Sequence, residues 1–243
     1  MKKKLLSVCI VTLGLVAASN AQAIPLSDLF AGGTITAGDK LFDQWNLVDY
    51  SATDPNRVFN AGNIEVFGLD DGGMDPGPGL RFVANQGELS VTGDGIYAFV
   101  DLMFGFRVTV LDPSKRIKDT SLRLISGAIL GDGDNGFYIN EVIGTAEGGD
   151  DLGTNEVEFS WLDQTPDGDP GPGLIEVLED SAEFAPQTSI WVTKNIIVWA
   201  TADNESPVLT EFQQRYSQVP EPASLALLGI GLFGLAAARV RRG

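Results

Sequence analysis

Six aspartates stand around two copies of one hexapeptide. Asp70, Asp71 and Asp75 lead into Asp75-Pro76-Gly77-Pro78-Gly79-Leu80, and Asp163, Asp167 and Asp169 lead into Asp169-Pro170-Gly171-Pro172-Gly173-Leu174. Carboxylates gathered on glycine-rich loops suit Ca²⁺, which takes about six to eight oxygen ligands in flexible geometry. The same residues serve equally as turn formers, bonding their own backbone in Asx turns. The six are therefore candidate metal ligands with a plain structural alternative. Asp132, Asp134 and Asn135 supply oxygens at the first, third and fourth positions of a calcium-loop pattern, but Ile143 stands where the closing bidentate Glu is required. A hairpin turn is the better reading there, and the Asp150-Asp151 pair has the same status.

Other site chemistry is narrow. Histidine is absent from the chain and the single cysteine is Cys9. Ser-His-Asp triads, histidine-ligated zinc and thiolate nucleophiles are excluded. A pair of carboxylates acting as in glycosidases stays open. With 33 acidic residues in the chain, some pair always qualifies, so that criterion selects nothing. An enzyme is not expected, and no cofactor is called for beyond the Ca²⁺ alternative. Trp45, Trp161, Trp191 and Trp199 could stack on sugars, but large aromatics in a disulfide-free β module are expected in the core.

The elements that would position these groups are strands. Gly and Pro punctuate the chain between short β-branched and aromatic runs, the pattern of an all-β domain. Val100, Leu102, Phe104, Phe106, Val108 and Val110 alternate with mixed residues, and Val157, Phe159 and Trp161 alternate with Glu158 and Ser160. Period two means one buried face. Ile190–Ala200 reads as a strand buried on both faces. Leu122–Leu130 is a further strand, and Leu209–Tyr216 is a short helix or a last strand.

The hexapeptide belongs to a longer repeat. Ile64-Glu65-Val66 matches Val157-Glu158-Phe159 and Leu69-Asp70 matches Leu162-Asp163, at an offset of 93 that becomes 94 at the Pro-Gly turn. The implied fold is a β-sandwich of jelly-roll or immunoglobulin-like type, built by internal duplication with halves at about 34–113 and 127–205. Either each half forms one layer, or two small sheets share a core.

The two ends read as addresses. Lys2, Lys3 and Lys4, an apolar stretch of 14 residues from Leu5 to Ala18, and Ala21-Gln22-Ala23 form a secretory signal peptide, residues 1–23, cut by signal peptidase after Ala23. Such a run is shorter than the roughly 20 residues that span hydrocarbon. At the other end, Pro220-Glu221-Pro222 precedes 16 uncharged residues, Ala223 to Ala238, and then Arg239, Arg241 and Arg242. A helix of that run reaches roughly 24 Å, a short transmembrane segment with its arginines on the cytoplasmic side.

Pro220-Glu221-Pro222, with Gly229, Gly231, Leu232, Gly234 and Leu235 and the Arg cluster, resembles the PEP-CTERM sorting signal. The resemblance covers residues 219–243. It implies export, transient inner-membrane anchoring, processing by the membrane protease-transferase exosortase near Pro-Glu-Pro, and release to the cell surface or extracellular polysaccharide. The body, 24–218, loosely resembles other PEP-CTERM bodies through Gly38-Asp39-Lys40 with Phe42, Gly77-Pro78-Gly79-Leu80, Ile117 with Asp119, Glu141-Val142 and Phe184-Ala185-Pro186. Those bodies imply no activity. The tail type also occurs on some ice-binding proteins, but this body lacks a short-period Thr array.

The body carries ten basic and 32 acidic residues, a net charge of −22 (10 − 32). Such a field repels nucleic acid and anionic lipid. The expected role is structural or adhesive contact, with extracellular polysaccharide as the partner. A Ca²⁺-dependent carbohydrate-binding module is the alternative, ahead of a carboxylate-based glycan hydrolase or an ice binder.

Overall fold

Alternating burial accounts for the strands. The computed structural model describes residues 22–221 apart from 72, 132 and 165–169. In chain order it contains β1 (Ile24–Pro25), α1 (Leu26–Phe30), β2 (Ile35–Ala37), β3 (Lys40–Ala52), β4 (Ile64–Leu69), β5 (Gly79–Ala84), β6 (Ala98–Val110), β7 (Lys115–Ala128), β8 (Asn135–Gly144), β9 (Gly153–Gln164), β10 (Pro170–Val177), β11 (Glu179–Gln187), β12 (Ser189–Ala200), β13 (Val208–Arg215) and β14 (Gln218–Pro220). Along β6, Ala98, Val100, Leu102, Phe104, Phe106 and Val108 are buried while Asp101, Met103 and Arg107 face the other way. Strand β12 does the same, with Ile190, Val192, Ile196 and Val198 inward and a half-buried opposite face. The expectation of a strand buried on both faces is thus corrected: one face meets the core and the other is covered only in part.

The strands make two antiparallel sheets. Sheet I runs β1-β4-β5-β13-β7-β11, with β14 also on β7, and sheet II runs β10-β9-β8-β12-β6-β3-β2. They stack as a sandwich. Phe82 of sheet I lies flat on its neighbour Phe212 at 4.6 Å, and touches Phe104 and Trp45 of sheet II at 5.9 and 6.4 Å. Trp45 stacks on Phe106 at 4.4 Å. A fully buried Phe stabilises by about 1.5–3 kcal/mol, and this aromatic layer holds together a module whose described residues contain no cysteine.

A bulge interrupts β3. The β3–β6 register shifts between Asp43 and Asn46, and Gln44 adopts φ +54°. The extra residue turns both Phe42 and Trp45 into the core and re-aims Asn46 outward.

The sheets do not follow the sequence halves. Strands β2, β3 and β6 of the first half share sheet II with β8, β9, β10 and β12 of the second, so one half per layer is not the arrangement. Equivalent pairings nevertheless recur: β4 pairs β5 as β9 pairs β10, and β3 pairs β6 as β8 pairs β12. The Gly131–Gly136 stretch is not a hairpin turn either, because it joins β7 of sheet I to β8 of sheet II. Leu209–Tyr216 resolves as strand, forming β13. The signal helix and the transmembrane helix fall on residues 1–21 and 222–243, outside the described residues. Among the described residues no helix is long and apolar enough to cross a membrane.

Candidate functional site

A cleft of about 450 Å³ opens on the outer face of sheet II. Its floor follows from the ladder. Gly105 on β6 sits between Asn46 on β3 and Thr193 on β12, and a Cβ there would lie 3.0 Å from Asn46 Oδ1. The missing side chain leaves the depression. Trp191, Thr193 and Asn195 project from β12, Met103 from β6 and Asn140 from β8, and the loop after β8 brings Glu147 over the edge. Asn46 Nδ2 donates to Glu147 Oε1 at 3.2 Å.

Two features distinguish the cleft from an ordinary strand surface. The side-chain oxygens of Asn46 and Asn195 are buried and accept no hydrogen bond among the described residues. Buried polar atoms are nearly always satisfied, and these two are not. The second feature is a held aromatic. The Arg107 guanidinium is fixed by two bonds to Asp43, at 3.0 and 2.8 Å, and lies 5.9 Å from the centre of the Trp191 ring. Trp191 is thereby presented in one orientation. At one end, burial first and the nearby Asp49 second push the Asp101 carboxyl above its ordinary range, while a bond from Asn195 acts the other way.

The expectation that the tryptophans are core holds for one of them. Trp45 is 5 % exposed, Trp161 is 36 % exposed, and Trp191 and Trp199 are half-buried on the outer face of β12. Sequence reading missed Asn46, Asn195 and Asn140. The available signal was that the outward positions of Ile190–Ala200 carry Trp191, Thr193 and Asn195 where a two-sided buried strand would be aliphatic.

The acidic candidates are placed differently. Asp71 accepts from Arg215 Nη2 at 2.8 Å, and Asp75 accepts from Lys118 Nζ at 2.9 Å and from the Ser217 hydroxyl at 3.2 Å. These two carboxylates are engaged by cations of sheet I. Asp70 lies beside a shallower depression with Asp39 and Lys115. Asp163 accepts from the Trp161 indole at 2.7 Å, and its own backbone N–H donates to Asp134 at 2.5 Å. Asp167 and Asp169 lie outside the described residues. Among the described residues no three of His, Cys, Asp and Glu gather as a metal site.

Of the terminal signals, Ala21, Pro222, Arg239, Arg241 and Arg242 lie outside the described residues. Ala23 precedes Ile24, which pairs with Val66 in β1–β4. Pro220 closes β14 opposite Lys115, and Glu221 is bound on both sides: its backbone N–H donates to Ser114 O at 2.6 Å and its carboxylate pairs with Arg116.

The molecule is thus an all-β sandwich whose last strand runs directly into a short proline-flanked glutamate docked on β7. Residues 218–242 match the family model of the PEP-CTERM protein-sorting motif, and the chain carries that motif. The motif marks an exported protein, anchored in the membrane at its C-terminal side before exosortase processes it. No curated protein matches the chain.

Proposed function

We propose that the body is a non-catalytic module of the cell surface or extracellular matrix that contacts polysaccharide through the sheet II cleft. The observation that carries this reading is the pairing of a fixed Trp191 face with two buried, unpartnered Asn oxygens. A sugar ring offers an apolar face for the indole and hydroxyl donors for the oxygens. The acidic body and Glu147 at the rim favour a neutral chain over an anionic one. Absence of histidine throughout and of cysteine outside the leader supports a binding rather than a catalytic role. The pairing of Asp71 and Asp75 with cations of the chain favours Ca²⁺-independent contact. The recurring strand pairings support descent from a duplicated strand–turn–strand unit within a jelly-roll or immunoglobulin-like sandwich.

The test is retention of the purified body on the organism's own exopolysaccharide and on a panel of neutral glycans, with and without EDTA. Retention independent of EDTA is expected. Trp191→Ala should weaken it about fivefold or more, since an aromatic contact is worth about 1 kcal/mol. Retention unchanged in Trp191→Ala overturns the assignment of the cleft, and loss of retention in EDTA restores the Ca²⁺-dependent alternative.

A further inference from the structure

The centre of the sandwich holds a lysine, a glutamate and a glutamine where aliphatic residues are expected. Lys194 on β12, Glu141 on β8 and Gln214 on β13 are all fully buried. Lys194 Nζ contacts both Glu141 Oε2 and the carboxamide oxygen of Gln214. Gln214 Nε2 in turn donates to Glu141 Oε1 at 2.6 Å. One carboxylate therefore touches the amine and the amide nitrogen together. Asn155 steadies it, donating to Glu141 Oε1 at 3.0 Å and to Thr120 Oγ1 at 2.8 Å. Around the amine stand the rings of Phe82 and Phe212, at 6.0 and 5.7 Å. The buried Tyr216 hydroxyl has no hydrogen-bond partner among the described residues.

We propose that Lys194 and Gln214 are joined by an autocatalytic intramolecular isopeptide bond, with Glu141 as its catalytic acid–base. Glu141 takes one proton from the Lys194 ammonium and leaves a neutral amine. The Nζ lone pair attacks Cδ of Gln214, and the carbonyl π electrons move onto Oε1. Glu141 gives its proton to Nε2 and accepts the second proton of Nζ. The carbonyl reforms, the Cδ–Nε2 bond breaks, and ammonia leaves with that electron pair, taking the last proton from Glu141 as ammonium. The products are a secondary amide between the two sheets and a regenerated carboxylate. No oxidant and no second substrate is needed.

The setting suits each step. Burial pulls the Lys194 amine below the ordinary lysine value, an effect the Glu141 carboxylate offsets only in part, and a desolvated lysine is an effective nucleophile. Reacting groups fixed in contact act at effective molarities on the order of 10⁵–10⁸ M. An ion pair in an apolar core carries a large desolvation penalty, and the reaction replaces it with a neutral amide. A second buried lysine lacks the same arrangement. Lys40 contacts Gln218 and bonds Asp39 at 2.6 Å, but among the described residues no bond joins Asp39 to the Gln218 amide nitrogen, so no carboxylate is placed to pass the proton. The consequence at Lys194 is mechanical. Gln214 lies just upstream of the motif that begins at residue 218, and the bond would carry load from an attached tail into sheet II.

The exported protein is denatured and digested, and its peptides are sequenced by mass spectrometry. One branched peptide linking the Lys194 and Gln214 segments, lighter by one ammonia than the two together, is the expected result. Glu141→Gln should yield the two segments as separate linear peptides and restore that mass. Full recovery of both linear peptides from the unaltered protein overturns the proposal, and so does a branch at Asn155 instead. The unaltered digest decides alone if Glu141→Gln fails to accumulate.

Discussion

The two copies of Asp-Pro-Gly-Pro-Gly-Leu have the same letters and opposite surroundings. The first opens β5, an interior strand of sheet I flanked by β4 and β13. The second opens β10, which among the described residues pairs only with β9, at the edge of sheet II. The shared leucine is the clearest gauge: Leu80 is 0 % exposed and Leu174 is 47 % exposed. The glycines differ in the same way. A Cβ on Gly79 would lie 2.0 Å from the carbonyl oxygen of Gln214 on the adjacent strand, whereas Gly173 has space and is instead held at φ +77°. One glycine is required by a neighbour and the other by its own backbone. An identical turn thus states where the chain reverses and leaves open what it packs against.

Breaking the close approach should have the largest effect. Gly79→Ala forces β5 away from β13 at the Gln214 carbonyl, and should cost about 3 kcal/mol or more. Gly173→Ala meets only the left-handed backbone penalty, about 1–2 kcal/mol. Denaturant unfolding of both variants measures the gap, and equal losses would mean that the two copies are equivalent after all. Next in size is the leucine pair. Leu80→Ala should lose about 2–5 kcal/mol through lost burial and a cavity. Leu174→Ala should stay within about 0.5 kcal/mol, as an exposed substitution does. Similar midpoints for the two variants would contradict the burial difference.

Strand content was legible because period two is a local property. Val100–Val110 and Val157–Trp161 show it directly and became β6 and β9. Sheet membership was not legible, because it depends on pairings such as Ile24 with Val66 or Phe212 with Leu124 that join distant parts of the chain. The cleft was half legible. Trp191 stood out by type, but Asn46 reaches it only through the bulge at Gln44, which no pattern in the sequence announces. The buried trio left a trace that strand reading passed over. Lys194 interrupts Ile190, Val192, Ile196 and Val198, and Glu141 interrupts Phe137, Ile139 and Ile143, each on the inward phase. A charge on the apolar phase of an alternating strand is a signal for a core partner. The partners of the acidic loops were hidden for the converse reason. The cations that pair with Asp75 and Asp71, Lys118 and Arg215, are far along the chain.

The smallest effect concerns those pairings and separates the two turns by electrostatics. The bond from Lys118, then its charge, then the Ser217 hydroxyl hold the Asp75 carboxyl below its ordinary value of 3.8. A depressed carboxyl is protonated first in the unfolded chain as pH falls. Its contribution is therefore complete above about pH 4 and is lost as pH drops through the folded value. Asp75→Asn should differ from the unaltered protein by a constant amount near neutrality, with the difference closing below pH 4. Because the pair faces water, added salt should shrink that difference. In the second turn, Asp163 accepts from the neutral Trp161 indole, so the effect of Asp163→Asn should respond far less to salt. Thermal unfolding at two salt concentrations for the two variants makes the comparison. Equal salt responses would mean that the Lys118 charge contributes little to holding Asp75.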